Sequence, residues 1–365
     1  MSCHSIHVNL RYRRHRILIS ISTRYFVLIQ DAVTYDGQSS TLTDIVFVLI
    51  ANMKLDNYGG IIWYLKYFGL PLALCVTICK VYNRVSQKKR RATLQGKVVL
   101  ITGASSGIGE ALAHAFYEQG SKVVLAARRE PELNRVKTDL LSKKLPTATL
   151  EPNVIRLDLA DLDSLEGFAK NVQTVCGRVD ILINNGGISH RDSILHTKID
   201  VDKQIMYVNY FGPVCLTKAL LPKMVEEKSG HIVFVSSVQG LIAIPDRSAY
   251  AASKFAMQAF GDALRSEMHQ HNVNVSVVSP GYVKTAVSLN ALKGSGERHA
   301  VMDQSTAEGF SAEYVADRIL DMVVSKENDL VISQFLPKVA IFLRHNMPGL
   351  YHWAMTRRAT KTSVP

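Results

Sequence analysis

The stretch SSVQGLIAIPDRSAYAASK, residues 236–254, sets a tyrosine four residues before a lysine and a serine thirteen residues before the tyrosine. Residues four apart on a helix share a face, so Tyr250 and Lys254 project together. A free phenol, with a pKa of about 10, is a poor acid or base near neutrality. An ammonium beside it favours phenolate and is expected to lower that value. A hydroxyl such as that of Ser237 can hydrogen-bond a carbonyl oxygen and steady the charge that develops there. The phenol can then protonate the oxygen as a hydride reaches the carbon. The chemistry written into this stretch is carbonyl reduction or its reverse, and it needs a hydride carrier.

The elements that must position these groups are legible around them. KVVLITGASSGIGEALAHAF, residues 97–116, reads as a strand, a glycine-rich turn and a helix. Gly103, Gly107 and Gly109 let the backbone turn tightly and approach a phosphate, which the helix N-terminus then faces with free N–H groups. From Lys97 to about residue 332, β-rich runs alternate with stretches of helical length. The runs are VVLIT, KVVLAAR, NVIRLD, DILINN, HIVFVSS and NVSVVSP. That alternation predicts an α/β fold, a parallel sheet with helices on both faces. Ser237 closes one of the runs, at the carboxyl edge where open α/β sheets bind ligands.

The spacing TGxxxGxG, the NNGG at 184–187, the VNYFGP around residue 209, the serine–tyrosine–lysine set and the SPGYVKT loop at 279–285 together resemble the short-chain dehydrogenase/reductase family. The resemblance covers residues 94 to about 330 and implies a Rossmann-type doubly wound sheet of seven strands. It implies a nicotinamide dinucleotide held by Thr102, Gly103, Ser105, Ser106, Gly107, Ile108 and Gly109 at the turn. Asp158 would contact the adenine, and Asn185, after strand four, would also bind the cofactor. Pro280, Gly281, Val283 and Thr285 would border the nicotinamide. Tyr250 and Lys254 would serve both cofactor and catalysis, with Ser237, and Asn209 would complete the set by helping to hold a proton-relay water. An acidic residue would end strand two in a protein that uses NAD. Arg128 stands in the comparable place here, with Arg129 beside it, and a guanidinium there suits the 2′-phosphate of NADP(H). Gly186 departs from the alanine usual in the family's NNAG and is expected to leave the turn intact. The resemblance also implies a homodimer through the helices after strands four and five. A regulatory or binding protein on the same fold is the alternative, but such a protein need not keep all four catalytic residues.

Charge narrows the partners. Residues 94–325 carry 24 Lys and Arg against 25 Asp and Glu, while residues 1–93 carry 13 against 4 and residues 326–365 carry 6 against 2. A near-neutral centre argues against nucleic acid, and basic ends beside apolar segments point to a membrane surface. The run IIWYLKYFGLPLALCVTICKVY, 61–82, has about the length of a spanning helix, with aromatic residues at one end and QKKRR soon after. It predicts a membrane anchor over 58–86. On the positive-inside rule the catalytic part would be cytosolic, although anchored relatives with lumenal domains leave the other face open. Residues 1–57 read as an extension with an alternative start at Met53. The apolar and basic segment 333–365 suits an interfacial segment, a substrate lid or a plain surface cover equally well. A membrane enzyme of this type implies a lipophilic ketone or alcohol: a steroid, a retinoid or an acyl/alkyl keto-lipid. The resemblance implies the endoplasmic reticulum membrane as the expected site, with the peroxisomal membrane as the alternative. The five cysteines have no disulfide or zinc spacing and read as buried thiols, and no metal site is expected.

Overall fold

The computed structural model describes residues 5–12, 15–22, 65–143 and 150–362. The chain divides into two compact units, Met1–Ser86 and Gln87–Pro365. In the first, the strands Ser5–Tyr12 and His15–Ser22 pair antiparallel, a hairpin within the region that the sequence left unreadable. A π-helical turn, Leu65–Gly69, leads into a helix over Leu70–Arg91. The anticipated anchor over 58–86 therefore lies partly outside the described residues. Among the described residues no helix is long and apolar enough to cross a membrane. The helix runs on through QKKRR, which was expected to follow the apolar run as a separate basic stop.

The second unit is built on seven parallel strands. They are β1 (Val98–Thr102), β2 (Lys122–Ala127), β3 (Asn153–Arg156), β4 (Ile181–Asn184), β5 (Gly230–Val235), β6 (Val273–Pro280) and β7 (Asp329–Ile332). Their order in the sheet is β3-β2-β1-β4-β5-β6-β7. The order reverses between β1 and β4, and the crevice at such a switch point binds ligands in doubly wound sheets. β1 is buried along its whole length, as a central parallel strand must be, which is why VVLIT is continuously apolar rather than alternating.

Helices α1 (Gly107–Glu118), α2 (Glu130–Ser142), α3 (Ser164–Cys176), α4 (Ile199–Met206), α5 (Gly212–Glu226), α6 (Ser248–Met268) and α7 (Ala312–Ser325) flank the sheet. One core layer joins α1, α2 and α7 to one sheet face through Leu112, Phe116, Leu133, Ile319 and Leu320. The other joins α3, α5 and α6 through Leu165, Leu216, Leu220, Met257 and Leu264. Each fully buried leucine or phenylalanine contributes about 1.5–3 kcal/mol from apolar surface withdrawn from water. These two layers fix the carboxyl edge of the sheet, where the site stands. Beyond β7, helices α8 (Phe335–Asn346) and α9 (Pro348–Thr362) form a C-terminal pair that packs together.

The free cysteines correct the sequence reading: Cys75 is exposed, and Cys176 and Cys215 are only partly buried. Among the described residues no cluster of side chains could hold a metal ion.

Candidate active site

Gly103 adopts φ +68, a left-handed conformation, directly after β1. A Cβ there would stand 2.8 Å from the Cα of Gly186, so the turn and the end of β4 touch backbone to backbone. Gly109, in the first turn of α1, is also closely packed: a Cβ there would overlap the Gly103 carbonyl oxygen. Thr102 and Gly109, both expected to bind cofactor, are absent from the cavity wall. They build the turn instead. The Thr102 hydroxyl accepts from the N–H groups of Asn185 and Gly186, at 3.0 and 2.9 Å, and donates to the Ile183 carbonyl. Asn185 lines the cavity, but its amide donates at 2.9 Å to the Thr102 carbonyl, so its polar end ties β4 to β1. The turn at Gly186 is intact, and an alanine Cβ there would press on Leu159 Cδ1 at 2.7 Å.

A cavity of about 1030 Å³ runs along this edge. Ligand pockets commonly measure 300–1,000 Å³, so it has room for a dinucleotide and a second molecule together. Gly103, Ser105, Ser106, Gly107 and Ile108 line it, as do Arg128, Asp158, Pro280, Gly281, Val283 and Thr285. The expected cofactor residues are thereby brought together, apart from Thr102 and Gly109. Arg129, which the sequence reading set only beside Arg128, reaches back across the turn. Its guanidinium donates to the hydroxyls of Ser105 and Ser106, both at 3.1 Å. Arg128 and Arg129 are both exposed and both border the cavity. This cradle fits a dinucleotide: a glycine turn without side chains and a helix N-terminus, with two cations at the end of β2.

The four residues expected to be catalytic converge from three elements. Ser237 follows β5 and caps a 3₁₀ turn by accepting from the Gln239 N–H at 3.1 Å. Tyr250 lies in the first turn of α6, and Lys254 follows one turn later on the same face. The Lys254 ammonium is 5.7 Å from the centre of the Tyr250 ring and donates to the Val235 carbonyl at 2.9 Å. Asn209 sits on a π-helical segment, Tyr207–Phe211, between α4 and α5. Such bulges recur at functional sites because they displace one side chain from the helical register. Its side chain closes both ways on Ile188, accepting from the N–H at 2.8 Å and donating to the carbonyl at 2.9 Å. It also donates to Ser253 at 3.0 Å. A Cβ on Gly187 would lie 3.1 Å from Asn209 Oδ1 and 3.6 Å from Lys254 Nζ, so this backbone separates the two groups by only one small residue.

The electrostatics differ from the sequence expectation in one respect. Lys254 does not hold the Tyr250 phenol down. Burial pushes that phenol above its usual value, opposed by a hydrogen bond from Ser237 and by the charges of Arg191 and Arg247. The phenol is therefore held protonated, as a proton donor must be. Burial also brings Lys254 down to about 8. In the free protein this group is cationic below about 8 and neutral above it. If the ammonium serves the reaction, kcat/KM for carbonyl reduction is expected to be level below about pH 8 and to fall above it. That parameter reports ionisations of the free enzyme. A pH–rate profile checks this, and a level profile through pH 9 would remove Lys254's charge from the reaction.

Three further residues escaped the sequence reading. Arg191 donates twice to Asp303 Oδ2, at 2.8 and 2.7 Å, and Arg247 donates to the same oxygen at 3.1 Å. Burial works against ionisation of Asp303, but the Arg191 hydrogen bond and both cations hold its carboxyl below the ordinary range. Two cations share one carboxylate, and both line the substrate side of the cavity with Arg298 and Arg358. The stretch 286–311 has little regular structure beyond a short helix, Gln304–Ala307. Asp303 precedes that helix and anchors it to the site.

A seven-stranded doubly wound sheet with this turn and this serine–tyrosine–lysine–asparagine set defines a dinucleotide-dependent oxidoreductase of the short-chain type. The family model for short chain dehydrogenases matches residues 97–295, and the chain belongs to that family. Among similar proteins, "Dehydrogenase/reductase SDR family protein 7-like" of Drosophila melanogaster is 53% identical over 306 residues, covering 84% of this chain and 94% of the relative. "Dehydrogenase/reductase SDR family member 7B" of Xenopus laevis is 45% identical over 293 residues, covering 80% and 91%. A solved metagenomic short-chain oxidoreductase in complex with NADP aligns at 28% identity and TM-score 0.54, over 66% of this chain and 98% of that one. A short chain dehydrogenase/reductase from Burkholderia phymatum in complex with NAD shares the fold at TM-score 0.63 and 24% identity, over 70% of this chain and 95% of that one.

Proposed function

We propose that this chain is an NADP(H)-dependent reductase of a lipophilic ketone, acting at a membrane. The observation that carries the reading is the convergence of Ser237, Tyr250 and Lys254 on a cavity whose other end is bordered by Arg128 and Arg129. Bound NADPH would supply the hydride. The chain's own residues do the rest. Ser237 orients the carbonyl oxygen, Tyr250 gives it a proton, and Lys254 and Asn209 lie behind Tyr250 where that proton is restored. Burial keeps the Tyr250 phenol protonated in the free protein, the form that can donate to a carbonyl oxygen.

Among lipophilic ketones, an acyl or alkyl keto-lipid fits better than a steroid or retinoid. Arg191, Arg247, Arg298 and Arg358 give the cavity a polar, cationic part, while Leu336, Val339, Ala340 and Leu343 give it an apolar part. An amphipathic substrate matches both. The apolar run 61–82 and the basic ends support attachment to a membrane; the endoplasmic reticulum, with the peroxisomal membrane as the alternative, is proposed from the family resemblance alone. A homodimer through α5 and α6 is consistent with the partly exposed rings of Tyr207, Phe211 and Phe255 beside those helices. The test is a lipid comparison of cells with and without the protein. A keto-lipid should accumulate and its alcohol should fall when the protein is removed. Unchanged ratios in every keto-lipid class would leave the proposal without a substrate.

A further inference from the structure

The segment FLPKVAIFLRHNMPGLYHW, residues 335–353, is apolar enough to be core, yet no residue of α8 is fully buried. Phe335 is 77% exposed, Leu336 76%, Trp353 53% and Met347 50%, with Leu350 also exposed. Exposed apolar side chains of this size on one helical pair mark an interaction surface rather than chance. The pair is nonetheless held to the catalytic body: Tyr351 is buried and donates to the Ala243 carbonyl.

Charge identifies the partner. From residue 330 to the C-terminus the sequence has five Lys and Arg and no Asp or Glu. One of these, Arg357, stacks over the Trp353 ring at 4.2 Å. Apolar and aromatic side chains interleaved with cations, without a carboxylate, are the composition of helices that lie in the plane of an anionic bilayer. A protein partner of similar shape would have to match these cations with an acidic surface of its own, whereas anionic headgroups supply it directly.

The pair also forms a wall of the cavity, through residues such as Leu343 of α8 and Met355 of α9. We propose that α8 and α9 dock on the face of an anionic lipid bilayer, so that the substrate cavity opens toward the lipid. This deepens the reading of a lipophilic substrate and rests on it only for what passes through the opening. The bilayer contact itself is independent of turnover.

The sequence contains two tryptophans, so a full-length Trp63→Phe chain reports on Trp353 alone. It would be reconstituted in vesicles of phosphatidylcholine and phosphatidylserine whose acyl chains carry bromine. Trp353 emission is expected to fall at least about twofold relative to unlabelled lipid, as for an interfacial ring in contact with the acyl boundary. Adding Phe335→Ser and Leu350→Ser, neither of which lines the cavity, should abolish the quenching. NADPH binding, followed by calorimetry on the same samples, confirms that these variants are folded. The proposal is overturned if brominated lipid leaves the emission unchanged while aqueous iodide quenches Trp353 equally with and without vesicles. Protection from iodide that follows protein concentration rather than lipid also overturns it, because a second copy then covers the face. Lost NADPH binding with lipid quenching intact would count against the enzyme reading and leave the docking surface standing.

Discussion

Replacing Tyr250 by phenylalanine is expected to lower turnover at least about a hundredfold while NADPH affinity is kept, the scale of a lost general acid. The substitution keeps the ring, its packing at the start of α6 and the 5.7 Å approach to Lys254, and removes only the transferable proton. Ser237 would still orient the oxygen, while Lys254 lies behind the ring and donates to the Val235 carbonyl rather than toward the substrate oxygen. Arg191 and Arg247, whose charges also act on Tyr250, do not release protons at neutral pH. Lys254→Met should behave differently, losing turnover and cofactor affinity together, since the family's lysine also holds the nicotinamide ribose. Steady-state kinetics with calorimetric binding separates the two variants. Turnover retained in Tyr250→Phe would sink the assignment.

The second large effect concerns the cofactor. Wild-type protein is expected to prefer NADPH to NADH by about tenfold to a hundredfold. A charge-assisted pair with a 2′-phosphate contributes on the order of 1.5–3 kcal/mol, which converts to that ratio. Arg128 borders the cavity at the end of β2 and is exposed, so the lower figure is the safer expectation. Arg128→Asp should reverse the preference, because a carboxylate repels the phosphate and accepts from the free ribose hydroxyls of NADH. Arg129→Ala is the control. Its guanidinium clips Ser105 to Ser106, so its loss should loosen the turn and weaken both cofactors. Equal affinities in the wild type, or no change in Arg128→Asp, would reduce Arg128 to a surface residue.

What could be read from sequence was whatever depends on local spacing. Tyr250 and Lys254 are one helical turn apart, and Ser237 closes a strand, so their convergence follows from the fold class alone. The glycine turn likewise announces itself, although the sequence could not separate residues that line the cavity from those that build it. Thr102 and Gly109 do not line the cavity; they hold the turn together, through neighbours from β4 and the turn's own carbonyl. The Tyr250 environment was misread because ionisation depends on burial, and the sequence shows the lysine but not the depth. Arg191, Arg247 and Asp303 were illegible for another reason. They lie far apart in the chain and meet only through an irregular stretch with no periodicity to follow. The C-terminal segment was readable as apolar and basic, but only the tertiary structure puts one side of it on the cavity wall and leaves the other exposed.

The central claim is that this site passes a hydride to a lipid carbonyl while Tyr250 supplies the proton. Its most direct test is isotope transfer, using NADPH that carries deuterium on the reactive position of its nicotinamide ring and a long-chain keto-lipid in detergent micelles. The full chain is expected to yield an alcohol with deuterium on the carbinol carbon, and Tyr250→Phe should yield almost none under the same conditions. Deuterium that never reaches the lipid across a panel of keto-lipids, or that reaches it equally in Tyr250→Phe, would contradict the account.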